Sequence, residues 1–288
     1  MTDLNKYPAE SNRRRFVKGV VGAAALSGTV ATTAALGDMT TTPQGQGGGP
    51  TNYIGTELVG GPAPRGMPQI PVEVDDEGFL RGIWPDPEVR ETEGGLQEVI
   101  AEVEVGDVTY STTWFQYCGS QSSPALDPEA DMDNYMRYVS APPRNYGWQS
   151  EQTSGGDRVH INDFEDYEEW GNGIGQSGLG KPAIVNWRSQ DSGGEPLEPA
   201  DRLPVQIIRS PRIEEEAEDD EWLEWSTDEG FIAFQNQCTH FCCVPGYKAF
   251  PDSEGFNAED LIYCQCHQSV YDPFTLEEQT FVALPRPE

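Results

Sequence analysis

The chain is predicted to be a mainly β protein made of antiparallel strands, and three observations predict it. Apolar residues fall in short alternating runs, punctuated by Gly and Pro, at 56–59 and 70–84. One stretch has the layout of a hairpin: Pro71-Val72-Glu73-Val74, a turn at Asp75-Asp76-Glu77-Gly78, then Phe79-Leu80-Arg81-Gly82-Ile83. Apolar runs of strand length recur at Ala183–Arg188, Val205–Ile208 and Gly230–Phe234.

At the N-terminus, Arg13-Arg14-Arg15-Phe16-Val17-Lys18 has the R-R-x-F-x-K form of a twin-arginine export signal. The uncharged segment Gly19–Gly37 follows, rich in Ala, Gly, Thr and Val. As a helix it spans ~28 Å, close to the ~30 Å of a hydrocarbon core. Lys6, Arg13, Arg14, Arg15 and Lys18 precede it, so the N-terminus is expected to stay cytoplasmic. Ala35-Leu36-Gly37 is an imperfect cleavage site, so residues 1–37 are expected to remain as a membrane anchor. Residues 38–51 have the composition of a flexible linker, with a reach of ~20 Å. Residues 52–288 then form the extracytoplasmic domain. Within it, Thr56–Val59 and the hairpin come first, and Gln97–Tyr117 supplies one or two further strands. Residues 119–180 are polar and loop-rich, with one helix candidate around Pro128–Val139, and are taken as an insertion. No internal repeat is present.

Charge narrows the function classes. Forty-nine acidic residues oppose eighteen basic ones, for a net charge of −31, and the only lysines are Lys6, Lys18, Lys181 and Lys248. The acids are dispersed, apart from the dense run Glu214-Glu215-Glu216-Ala217-Glu218-Asp219-Asp220-Glu221. A disordered acidic tail is the plain alternative, but the dispersion and seven Trp argue against it. A dispersed acidic surface poor in Lys is typical of proteins from salt-in halophiles, where molar salt screens self-repulsion to ~3 Å. No basic patch exists, which excludes nucleic acid as a partner.

The chemistry lies near the C-terminus. Cys238-Thr239-His240 is followed by Cys243, giving C-x-H-x-x-C. Cys264-Gln265-Cys266-His267-Gln268-Ser269-Val270-Tyr271 gives C-x-C-H-x-S-x-Y. One Cys and one His from each half can ligate the two irons of a [2Fe–2S] cluster, two thiolates on one and two imidazoles on the other. A Cys2His2 zinc site uses the same four residues, but it needs neither the additional cysteines nor the hydroxyls at 269 and 271. His160, the only other His, lies in the polar insertion and is expected at the surface.

This pattern resembles the Rieske iron–sulfur protein of quinol-oxidising cytochrome bc-type complexes, whose loops read C-T-H-L-G-C and C-P-C-H-G-S. The resemblance implies one [2Fe–2S] cluster held by Cys238, His240, Cys264 and His267, and a disulfide between Cys243 and Cys266. It implies a Rieske-like antiparallel β-sandwich base with a cluster-binding subdomain at 232–284. Ser269 and Tyr271 match the hydroxyl donors that raise the cluster's potential, and Phe241 stands where the family has a shielding Leu. Cys242 and Gln268 depart from the family, each replacing a Gly, and the interval from Cys243 to Cys264 is long for it. Cys118 and Cys242 are left either as inert thiols or as a second disulfide.

The expected function is electron transfer within a quinol:acceptor oxidoreductase at the cell membrane. His267 is the ligand implied to meet the quinol, taking an electron and a proton together. Expected partners are cytochrome b-like membrane subunits, quinol, and a cytochrome c or small blue copper protein as acceptor. The alternative is the small Rieske subunit of an exported molybdenum oxidoreductase, of the arsenite oxidase or nitrate reductase kind. A Rieske ferredoxin or oxygenase domain is disfavoured, because those lack both the disulfide cysteines and the export signal.

One further expectation concerns chain order. Residues 59–79, with Gly61-Pro62-Ala63-Pro64-Arg65 and Asp75-Asp76-Glu77-Gly78, look like the stretch that follows the cluster loops in other Rieske proteins. The chain beyond His267 has room for one strand and the loop Ala283-Leu284-Pro285-Arg286-Pro287, not for a second hairpin. A circular-permutation-like rearrangement is expected, with the 71–83 hairpin pairing near 278–284.

Overall fold

The computed structural model describes residues 49–63, 65–91, 97–115, 117–118, 133–140, 146–198 and 201–283. The protein is mainly β and its sheets are antiparallel. In chain order the strands are β1 (Gly49–Gly60), β2 (Gln69–Ile70), β3 (Val72–Val74), β4 (Leu80–Gly82), β5 (Pro87–Glu91), β6 (Gln97–Val105) and β7 (Val108–Ser111). They continue as β8 (Arg137–Tyr138), β9 (Lys181–Trp187), β10 (Leu203–Arg209), β11 (Phe231–Gln235), β12 (Gly246–Tyr247), β13 (Ile262–Cys264) and β14 (Ser269–Ala283). One sheet runs β1-β14-β13-β12 and a second runs β2-β11-β10-β9-β8; β5-β6-β7 and the β3-β4 hairpin are smaller.

The five-stranded sheet separates two apolar cores, which explains why its central strands read as unbroken apolar runs. Successive side chains on a strand point to opposite faces. On β11, Phe231 and Ala233 enter the main core with Trp114, Trp187 and Phe281. Ile232 and Phe234 enter the other core, with Cys238, Cys264, Tyr271 and Phe274. β10 divides in the same way, Val205 and Ile207 against Ile208. The strand that leads into the first cysteine motif is thus gripped on both faces. β14 makes the second connection: it pairs with β13 from Ser269, then runs along β1 and buries Phe281 in the main core.

The hairpin forms where the sequence puts it, with Val72 opposite Gly82 and Val74 opposite Leu80. Its expected partner is corrected. The strand alongside 276–283 is β1, from Gly49↔Ala283 to Thr56↔Leu276. The hairpin instead hydrogen-bonds residues of the 119–180 region, through Leu80 N–H to Val159 O and Gly82 N–H to Asn134 O. Strands of three residues cannot match an edge as long as β14, whereas the long β1 can. The proposed linker is corrected for the same reason: Gly49, Pro50 and Thr51 already belong to β1. The rest of the linker and the signal and anchor segment, 1–48, lie outside the described residues. Among the described residues no helix is long and apolar enough to cross a membrane.

The helix candidate at 128–139 is also corrected, since its described end is a turn followed by β8, which pairs with β9. Met136, Tyr138, Val159 and Phe164 enter the main core, so this part of the insertion is integral to the base. The acidic run folds as two short helices, Pro211–Ala217 and Glu221–Ser226. Ser210 and Asp220 cap them, and Pro211 occupies the first turn, where it costs no hydrogen bond. Lys181 and Lys248 are both buried: Lys181 pairs with Asp166, and Lys248 with Asp260 at 2.7 Å.

Candidate metal centre

Two turns of the same design build the site. In the first, Cys242 N–H bonds Cys238 O at 2.8 Å; in the second, Gln268 N–H bonds Cys264 O at 2.9 Å. Cys242 and Gln268 have φ of 58° and 61°, the left-handed region that favours Gly. A side chain at each of these two positions costs on the order of 1 kcal/mol or more relative to Gly. Cys238 N–H also bonds Cys243 O at 2.7 Å, closing the first turn.

The eight residues singled out from the sequence come together. Cys238 and Cys264, the free cysteines, are both buried. A hydrogen bond from the Cys264 thiol pulls the Cys238 thiol down, and the same bond pushes Cys264 up, so the pair shares one proton. The rings of His240 and His267 meet edge to face, with centroids 4.6 Å apart and an interplanar angle of 74°. His240 is half-buried and His267 exposed. Phe241, 64% exposed, packs on both rings, at 4.4 and 5.0 Å. Cys243 and Cys266 form a disulfide joining the two turns. The sulfurs of Cys243, Cys264 and Cys266 lie within 4.8 Å of one another, but two of them are bonded to each other and only Cys264 remains a ligand.

Polar groups surround the thiols. Burial pushes the Tyr271 hydroxyl up, so it stays protonated and donates to Cys238 Sγ at 3.0 Å. His240 N–H reaches the same sulfur at 3.5 Å. Ser269 is fully buried and its Oγ has no hydrogen-bond partner, nor has the buried Nδ1 of His240. His160 lies elsewhere: its Nδ1 accepts from Asn162 N–H and caps the Ile161–Phe164 turn, while its Nε2 lies 2.9 Å from Glu77 O.

Three contributors were not among the site residues read from the sequence. The Gly61–Arg65 stretch lies against both turns: Thr239 Oγ1 donates to Arg65 O, and a Cβ on Gly61 (φ 90°) would come within 2.4 Å of Ser269 Cα. Its likeness to a stretch that follows the cluster loops elsewhere was the available signal. Tyr117 donates to Gln237 O at 3.0 Å. Cys118 forms a second disulfide with Cys242, the pairing that the sequence left open. Comparison with known proteins gives no match among family models, curated proteins or solved structures.

Proposed function

We propose that the chain is the Rieske-type subunit of a membrane quinol-oxidising complex, with Cys238 and Cys264 on one iron of a [2Fe–2S] cluster and His240 and His267 on the other. The observation that carries this is the convergence of two buried free thiols and two imidazoles in edge-to-face contact, from separate turns. The donor set fits the group in two further respects. Among the described residues, His240 Nδ1 and Ser269 Oγ are buried polar atoms with no hydrogen-bond partner, and both belong to the two motifs that carry the free thiols. Tyr271 aims its hydroxyl at a ligand sulfur, a bond with no evident role around a closed zinc ion.

When bound, such a cluster supplies a one-electron carrier of raised potential. The protein's own groups do the rest. Tyr271 donates to the Cys238 sulfur, and the buried Ser269 hydroxyl would donate to a sulfur of the bound cluster; both favour the more negative, reduced state. Phe241 covers the edge of the imidazole pair. His267, the exposed imidazole, hydrogen-bonds the quinol hydroxyl and takes its proton. With the cluster held by Cys238, His240, Cys264 and His267, one electron from the quinol would enter it and be carried on to a cytochrome c or small copper protein. The acidic surface, with both described lysines buried, suits work in molar salt.

Purification of the native assembly from membranes tests this. The expected result is co-purification with cytochrome b-like subunits and quinol-dependent reduction of the centre. A molybdenum-bearing partner without cytochrome b would overturn it in favour of an exported molybdenum oxidoreductase.

A further inference from the structure

We propose that Cys118–Cys242 is a second clamp on the first cluster turn, holding Cys238 and His240 independently of the disulfide between the turns; this rests on the reading of the site as a [2Fe–2S] centre. The two bridges differ in what they join. Cys243–Cys266 links one exposed turn to the other. It keeps them together but fixes neither to the base. Cys118–Cys242 spans 124 residues of sequence, with the Cα atoms 5.4 Å apart, and reaches the base directly.

The segment carrying Cys118 is firmly seated. It leaves the Thr112–Phe115 turn, whose Trp114 and Phe115 are buried in the main core. Its grip is double: Tyr117 donates to Gln237 O just ahead of Cys238, and Cys118 holds Cys242 at the far end of the turn. The ligands Cys238 and His240 lie between these two points. Cys242 also occupies a left-handed position where Gly is free of strain. Keeping a side chain there is unfavourable unless that side chain does something, and here it carries the bridge.

It follows that the first turn stays in register when Cys243–Cys266 is absent. The test uses the full chain with its cluster, as wild type, C118S/C242S, C243S/C266S and the variant with all four cysteines replaced by Ser. A non-reducing peptide map first assigns the bridges, expected as Cys118 to Cys242 and Cys243 to Cys266. Bleaching by a chelator, the EPR g-values of the reduced protein and far-UV circular dichroism are then followed together. C243S/C266S is expected to keep wild-type g-values and bleach at most about threefold faster. The fourfold variant is expected to bleach more than tenfold faster, before the fold is lost. On the C243S/C266S background, a C118A/C242G change separates the clamp from relief of strain: Gly relaxes the backbone, yet bleaching should remain as fast as in the fourfold variant.

If the fourfold variant does not fold, a dithiol opens the bridges stepwise in folded wild type. The dithiol gives two electrons and two protons to each bridge and closes to its own disulfide. Bleaching should then follow opening of the second bridge, not the first. Equal bleaching of C243S/C266S and the fourfold variant, or the slow bleaching of C243S/C266S restored by C118A/C242G on that background, overturns the clamp alone. Wild-type protein lacking the iron–sulfur signal overturns the reading of the site, and the clamp with it.

Discussion

The hydroxyl of Tyr271 lies 3.0 Å from Cys238 Sγ, joining the start of β14 to the turn that follows β11. Both residues are buried in the core that β11 shares with β13 and β14. A donor placed there acts on the electron density of the sulfur, and its effect is read as a potential.

Tyr271→Phe is expected to keep the cluster and lower its midpoint potential. A bond worth ~1 kcal/mol more to the reduced state than to the oxidised one corresponds to roughly 40 mV for one electron. Ser269→Ala should act in the same direction. Redox titration followed by EPR checks this; midpoints unchanged in both variants would remove the donor roles.

The two faces of β11 should separate under mutation. Phe231→Ala and Phe234→Ala each empty a buried site and are expected to cost about 3–5 kcal/mol. Phe234 faces the core that contains Cys238 and Cys264, and Phe231 faces the other. Only Phe234→Ala should also speed cluster loss in folded protein, compared by denaturant unfolding and bleaching rate at fixed salt. Equal bleaching in the two would contradict the division of the cores.

What the sequence made legible, and what it hid, follows the range of the forces involved. The cysteine and histidine motif is local in each half, so spacing singled out the four candidate ligands, and the resemblance added Cys243, Cys266, Ser269 and Tyr271; the fold brings all eight together. The hairpin was legible because Asp75 bonds the N–H groups of Glu77 and Phe79 across its own turn. Only the 56–59 end of β1 was legible, because Gly49-Pro50-Thr51 carries no strand signal of its own and pairs along the long edge of β14. Cys118 was not, because nothing local marks a partner 124 residues away. The helices in the acidic run were hidden by charge, although Ser210-Pro211 and Asp220 were readable caps.

Lys248→Met should destabilise the fold by ~3 kcal/mol, because it removes a fully buried ammonium that holds three acceptors together. Lys248 Nζ donates to Asp260 Oδ1 and to the carbonyls of Ile174 and Gln176, tying the segment after the first cluster turn to the 174–176 loop. Urea unfolding at constant KCl measures this; a loss below about 0.5 kcal/mol would show that the pair contributes little.

Stability should rise with salt. At a net charge of −31, self-repulsion acts over ~10 Å in 0.1 M salt and over ~3 Å at 1 M. Thermal unfolding followed by circular dichroism should give a midpoint that climbs steeply as KCl is raised into the molar range. A midpoint independent of KCl would refute the halophilic reading of the surface.

The central claim is the cluster and its mixed ligands, and EPR of the dithionite-reduced protein, with metal analysis of the same sample, tests it most directly. The account predicts two irons per chain and the low average g-value of a [2Fe–2S] centre with two imidazoles on one iron, lost on replacing Cys238, His240, Cys264 or His267. One zinc per chain with no iron, or a spectrum typical of four-thiolate ligation, would contradict it.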